Sequence, residues 1–326
     1  MPSSSPAKRI KPPALLPGDF VGIIAPASNI DSEMLVNGCN VLRDLGYKPF
    51  YFDSIFEQEL YFAGSLERRV REFEEMFERD EIKAILCARG GYGSNYLLKA
   101  VNRETILRHP KIFAGYSDIT SWLTYICDSC GIVSFHAPMV TKDFALPNGV
   151  DLASWQASVN GTSEWTVTPD SGAAFLVGGH GKGILYGGCL SILVASLGTP
   201  YEIQTDGTIL FIEDVATKPY QIDRMLMQLK FAGKFDHVRG IIFGEMLDCM
   251  QHKDQGYTLD TIVQRLLGNL GIPIACGMRA GHVSHGNITL PFGVEAELNV
   301  TKNNVELKIL EAATMLAPGA TQTMKS

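Results

Sequence analysis

Residues 19–52 read DFVGIIAPASNIDSEMLVNGCNVLRDLGYKPFYF, and the fold follows from this stretch. Its first nine residues, Asp19 to Ala27, are an almost continuous apolar run of strand length, closed by Pro26 and Ser28, as in a strand buried on both faces. Residues 31–45 then show helical spacing with an Asp start and a stop at Gly46, and residues 48–52 are strand-like again. Strand, helix and strand in that order make a βαβ unit. The alternation continues with an amphipathic helix at 65–79 capped by Ser65, a strand at 82–87, a helix at 92–101, a strand at 112–115, a helix at 119–127 and a strand at 132–135. Repetition of this kind implies a parallel, doubly wound α/β sheet.

Beyond residue 138 the periodicity fades into Pro, Gly, Asn and Ser, including Asp170-Ser171-Gly172 and Gly178-Gly179-His180-Gly181. Loops and linkers have that composition. The second half mixes a helix at 190–197, strands at 208–212 and 240–243, helices at 221–232 and 259–267, and short strands up to residue 310, a smaller mixed α/β unit. A chain of 326 residues exceeds the usual size of one core, so two domains are expected. The expected boundaries are a disordered tail at 1–13, the first domain at 14–150, a linker at 151–182, the second domain at 183–317 and a disordered tail at 318–326.

Composition excludes several classes. With 46% hydrophobic and 19% charged residues, the chain reads as an ordinary folded protein. The net charge of -7 and scattered Lys and Arg lack the basic stripe that nucleic acid needs. The polar, proline-rich start and short apolar runs point to neither export nor a membrane span. Seven cysteines, an odd number, suit a reducing compartment, so a cytoplasmic protein is expected and the sequons at Asn160, Asn287 and Asn299 carry no weight.

Two loops at the carboxyl ends of expected strands stand out, because ligands of open α/β sheets bind there. In Ala88-Arg89-Gly90-Gly91-Tyr92-Gly93 the glycines let the backbone turn tightly and offer N–H groups to an anion, although it is neither a Walker A loop nor Gly-x-Gly-x-x-Gly, and a plain turn is the alternative. In Gly115-Tyr116-Ser117-Asp118-Ile119-Thr120, glycine two residues before serine at a strand-to-helix corner has the form of a nucleophile elbow. A helix N-cap at Ser117 or Asp118 reads equally well, and Ile119 in place of a second glycine disfavours an ordinary α/β-hydrolase. A serine nucleophile needs an imidazole and a carboxylate. Gly281-His282 opens a Gly- and Ser-rich loop, and Glu213 ends the apolar strand 209–212. A surface histidine and a solvated or capping Glu213-Asp214 pair are the plain alternatives. A rival constellation, Cys127-x-x-Cys130 with Cys249-x-x-His252, has local zinc-ligand spacing across two distant segments.

At these loops the chain resembles the LD-carboxypeptidase family of serine peptidases, which includes muramoyltetrapeptide carboxypeptidases and microcin C self-immunity hydrolases. The likeness runs from Leu16-Pro17-Gly18-Asp19 and Ile23-Ile24-Ala25-Pro26, through the two loops above, to Gly187-Gly188, Phe211-Ile212-Glu213-Asp214 with Asp223-Arg224-Met225, and Gly281-His282 before Thr289-Leu290-Pro291. It implies a flavodoxin-like N-terminal domain carrying the nucleophile Ser117, and a smaller C-terminal domain carrying the carboxylate Glu213 and the base His282. The N–H groups of Gly91 and Asp118 would form the oxyanion hole, with Arg89, Gly90 and Tyr92 as substrate contacts. It further implies a homodimer that needs no metal or organic cofactor and releases the terminal D-Ala of murein tetrapeptide in peptidoglycan recycling. The loop from His282 to Pro291 is a residue longer than the family's common form and holds a second imidazole, His285. An acyl-sulfamoyl adenylate is the alternative substrate, against which the absence of tryptophan in Cys189-Leu190-Ser191-Ile192-Leu193 weighs. A non-catalytic small-ligand sensor is the alternative outside enzymes.

Overall fold

In a computed structural model of the chain, which describes residues 9–167, 170–249 and 256–316, the apolar run after Asp19 forms β1 (Phe20–Ile24), with four of its five residues buried. The first half continues through α1 (Ser32–Asp44), β2 (Lys48–Phe50), α2 (Leu66–Glu78), β3 (Ile82–Cys87), α3 (Arg103–Arg108), β4 (Ile112–Gly115), α4 (Thr120–Asp128) and β5 (Ser134–His136). Two helix starts follow the expected chemistry: Asp31 accepts from the Met34 N–H and Ser65 from the Arg68 N–H, which satisfies donors left open in a first turn. The helix expected at 92–101 is instead a 3-10 segment, Ser94–Lys99, entered from Gly93 in the left-handed region.

The second half contributes α5 (Leu152–Val159), β6 (Trp165–Thr166), β7 (Ala174–Val177), β8 (Gly179–Cys189), α6 (Leu190–Ala195), β9 (Thr208–Glu213), α7 (Pro219–Phe231), β10 (Gly240–Gly244), α8 (Leu259–Leu267), β11 (Ile274–Met278), β12 (Leu290–Phe292), β13 (Glu295–Thr301) and β14 (Asn304–Ile309). Two sheets result. The first has the order β12-β5-β4-β3-β1-β2, parallel throughout except for β12. Its β2-β1-β3-β4-β5 portion is the flavodoxin-like doubly wound order, so ligands are expected outside the carboxyl ends of β1 and β3, where the strand order reverses. The second has the order β6-β14-β13-β8-β9-β10-β11-β7, with β8 to β11 parallel at its centre.

The chain departs from the expected organisation in two places. Residues 9–13 do not belong to a free tail: Ile10 donates to the Gly131 carbonyl at 2.7 Å and accepts from the Val133 N–H at 3.0 Å. Residues 1–8 and 317–326 lie outside the described residues. The stretch 151–182 is no plain linker, since it builds α5, β6, β7 and the start of β8. The second half also crosses back, because β12 pairs antiparallel with β5, Leu290 opposite His136, and covers an edge that a parallel sheet would leave open. The halves are joined again where the Cys189 N–H donates to Thr120 Oγ1 at 3.0 Å and Tyr186 OH to Asp128 at 2.5 Å. The carboxyl end of β8 is thereby tied to both ends of α4.

Candidate active site

Ser117 follows the last residue of β4 by two positions and opens a 3-10 turn leading into α4. Its φ is +63°, a conformation that costs a residue with a Cβ about 1–2 kcal/mol and clusters at functional sites. The glycine loop after β3 lies directly against it. A Cβ on Gly90 would sit 2.8 Å from Ser117 Cβ and 3.1 Å from its Oγ, so only glycine allows this approach. The Asp118 carboxylate turns inward, accepting the Ser94 N–H at 2.8 Å; burial pushes its pKa up, against the lowering effect of the Ser94 hydrogen bonds and Arg69. Its main-chain N–H belongs to a helix start, where donors lack intrahelical partners. Around the rim, Gly91 has φ +113° and is exposed, the Tyr92 N–H donates to Ser28 Oγ at 3.1 Å, and the exposed Arg89 reaches the Asn29 carbonyl at 3.3 Å.

Glu213 closes β9 and is fully buried. Its Oε2 accepts the His282 ring Nδ1 at 2.7 Å and the His282 main-chain N–H at 3.1 Å. Burial alone would push this carboxyl up. The facing His136 and His282 outweigh it and hold the pKa at about 2. The carboxylate therefore accepts, Nδ1 carries the proton, and Nε2 is left as the basic nitrogen, a tautomer assigned from the partner. Gly281, at φ +89°, makes this pairing possible: a Cβ there would lie 2.6 Å from Glu213 Cδ. The Tyr116 ring, one residue before Ser117, meets the His282 ring edge-on at 5.1 Å between centroids. Among the described residues no hydrogen bond joins Ser117 to His282 directly, and catalytic contacts of this kind commonly tighten only around substrate.

Asp214 has a different task, accepting from the Ser191 N–H at 2.9 Å and from Thr217 Oγ1 at 2.9 Å. His285 is exposed and bonded to Ser284 Oγ at 3.0 Å, away from Glu213. Cys127 and Cys130 are buried near the end of α4, and Cys249 is buried elsewhere; His252 lies outside the described residues.

Three buried groups of the site were not singled out from the sequence. Asn287 accepts from the Gly281 N–H at 2.9 Å and donates to the Gly281 carbonyl at 3.0 Å and to Asp143 at 3.1 Å, locking the turn that presents His282. Asp143 also accepts the Met139 N–H at 2.8 Å and the Tyr116 hydroxyl at 3.4 Å, and burial pushes its pKa up to about 6. The third is His136, wholly buried beside Glu213. Only His136, between Phe135 and Ala137, stands out as a polar residue among apolar neighbours, whereas Asp143 and Asn287 lie among other polar residues and give no local signal.

Comparison with known proteins gives a consistent picture. Residues 21–137 match the LD-carboxypeptidase N-terminal domain and residues 182–298 the LD-carboxypeptidase C-terminal domain. The chain is 39% identical over 309 residues to a protein of Bacillus subtilis (strain 168) named "Probable murein peptide carboxypeptidase", covering 93% of this chain and 96% of that one. It is 28% identical over 324 residues to the microcin C7 self-immunity protein of Escherichia coli, covering 89% and 93%. Among solved structures, muramoyltetrapeptide carboxypeptidase from Oxalobacter formigenes superposes with a TM-score of 0.81 at 27% identity, covering 90% of this chain and 99% of that one.

Proposed function

The chain belongs to the LD-carboxypeptidase family, and from that premise we propose that it is a serine carboxypeptidase releasing the C-terminal D-Ala of murein tetrapeptide in peptidoglycan recycling. One observation carries the reaction class: the buried Glu213–His282 pair at 2.7 Å, packed on the residue that precedes the strained Ser117. The named Bacillus subtilis relative supports the substrate class.

In this reading His282 Nε2 takes the Ser117 proton as Oγ bonds to the carbonyl carbon of the penultimate residue. The oxyanion that forms is held by the N–H groups of Gly91 and Asp118, whose preorganised dipoles stabilise charge as it develops. Collapse expels the D-Ala amine, which receives the proton from His282. Water, deprotonated by the same ring, then cleaves the acyl-serine. Glu213 stays ionised throughout and holds the ring with Nε2 outward. Arg89, Gly90 and Tyr92 line the rim as substrate contacts, Arg89 being suited to an acidic group. The reaction draws on no metal or organic cofactor. A cytoplasmic homodimer is part of the same proposal; no helix among the described residues is long and apolar enough to cross a membrane.

Mass spectrometry of products from a synthetic tetrapeptide tests the proposal. Free D-Ala is expected from the tetrapeptide, with little cleavage of the pentapeptide, which carries one residue too many beyond the scissile bond, or of an all-L analogue, whose inverted chirality misplaces the carbonyl from the oxyanion donors. Faster hydrolysis of an acyl-sulfamoyl adenylate would move the substrate to the chemistry of the microcin branch. No turnover of any of them would favour a ligand-binding sensor.

A further inference from the structure

Glu213 has two carboxylate oxygens, and only one is accounted for. Oε2 takes both hydrogen bonds from His282, whereas Oε1 is buried without a hydrogen-bond partner among the described residues. It faces His136 Nε2 at 3.9 Å, an electrostatic contact too long for a hydrogen bond. His136 is itself wholly buried, and among the described residues neither ring nitrogen finds a hydrogen-bond partner. Three rings pack around it: Phe211 at 5.0 Å, Phe292 at 5.5 Å and Tyr116 at 5.9 Å between centroids. A phenylalanine would fill that cage without burying an unpaired polar atom, an arrangement that costs stability. The aromatic cage therefore gives no reason for an imidazole, and the carboxylate does.

We infer that His136 is a positioning residue, which presents Nε2–H to Glu213 Oε1 and so fixes the carboxylate that orients His282. Its place in the fold suits the task. His136 ends β5, opposite Gly115 of the strand that carries the Ser117 elbow on one side and Leu290 of β12 on the other. Glu213 ends β9 of the other sheet. The contact between them thus registers the acid of one sheet to the nucleophile of the other, and closing it by about 1 Å gives a charge-assisted hydrogen bond.

The inference rests on the Ser117–His282–Glu213 reading, and its test separates the two. Three variants, His136→Phe, His136→Gln and His136→Asn, are compared with wild type for Tm, kcat and KM on the tetrapeptide, with Ser117→Ala alongside. Misplacement of a catalytic group by about 1 Å costs on the order of 10²-fold, so His136→Phe is expected to lose about ten- to a hundredfold in kcat with KM within about twofold. A glutamine amide nitrogen reaches about as far as imidazole Nε2, and an asparagine only as far as Nδ1. His136→Gln should therefore recover kcat to within about fivefold of wild type while His136→Asn stays low. If His136→Phe does not fold, the Gln and Asn pair decides alone. Equal activity of Gln and Asn variants, or a folded His136→Phe with kcat within about twofold of wild type, overturns the inference. Should Ser117→Ala remain active, the triad itself falls and the inference with it. An inactive Ser117→Ala beside equal Gln and Asn variants removes only the role of His136.

Discussion

Adding one methyl group at Gly281 perturbs the site without removing any of its functional groups. A Cβ there would lie 2.6 Å from Glu213 Cδ, 2.7 Å from Cγ and 2.8 Å from Oε2. Carbon atoms in contact sit about 3.5–4.0 Å apart, so acid and turn must separate by about 1 Å. Glu213 is fully buried and Asn287 holds the turn, so the displacement falls between the carboxylate and the turn that carries His282. The φ of +89° adds strain of about 1–2 kcal/mol for a residue with a Cβ. That strain alone should lower Tm of Gly281→Ala by roughly 1.5–3 °C. The substitution should lower kcat on the tetrapeptide by about 10²-fold, the usual effect of a misplacement of that size. Steady-state kinetics well below the new Tm separates the two effects. A folded Gly281→Ala with kcat within about twofold of wild type would refute the coupling between this glycine, Glu213 and the imidazole.

Other consequences are as specific. His282→Ala should abolish acylation, while His285→Ala should change turnover by less than about tenfold, because His285 is exposed and bonded to Ser284; burst kinetics distinguishes them, and the reverse result exchanges the two assignments. Asp143, pushed up to about 6 by burial, holds its proton better in the native than in the unfolded chain. Its contribution is therefore most favourable at low pH and is lost as pH rises from about 4 through about 6, by on the order of 3 kcal/mol. Denaturant melts of wild type and Asp143→Asn across that window should show the stability difference shifting by this amount, and a constant difference would remove Asp143 as the cause. A chelator should leave activity intact; loss restored by zinc would instead favour the Cys127, Cys130, Cys249 and His252 constellation.

Much of this site was legible because its parts lie where local sequence patterns end. Gly115 and Ser117 mark a strand-to-helix corner, Glu213 is the first charge after an apolar strand, and Gly281-His282 is a turn signature. What escaped has no local pattern. β12 is three residues long and joins a strand more than a hundred residues away, a pairing that leaves no periodicity behind. α5 buries Ser154, Trp155, Ser158 and Val159, a half-polar face without the apolar stripe by which helices are recognised. β8 holds five glycines among its residues Gly179–Cys189 and so reads as a loop. They serve packing instead, since a Cβ on Gly183 or Gly187 would overlap the carbonyl oxygen of Gly207 or Phe211 on the neighbouring chain segment. As a sequon Asn287 carries no weight, yet its amide joins Gly281 to Asp143. Tertiary partners alone give such a residue its role.

The central claim is that peptide cleavage passes through Ser117, and titration with a fluorophosphonate while D-Ala release from tetrapeptide is followed measures it most directly. One label per chain is expected, located on Ser117 by peptide mapping, with activity falling in proportion to labelling. Full labelling of Ser117 that leaves D-Ala release intact, or proportional inactivation with the label on another residue, would contradict it.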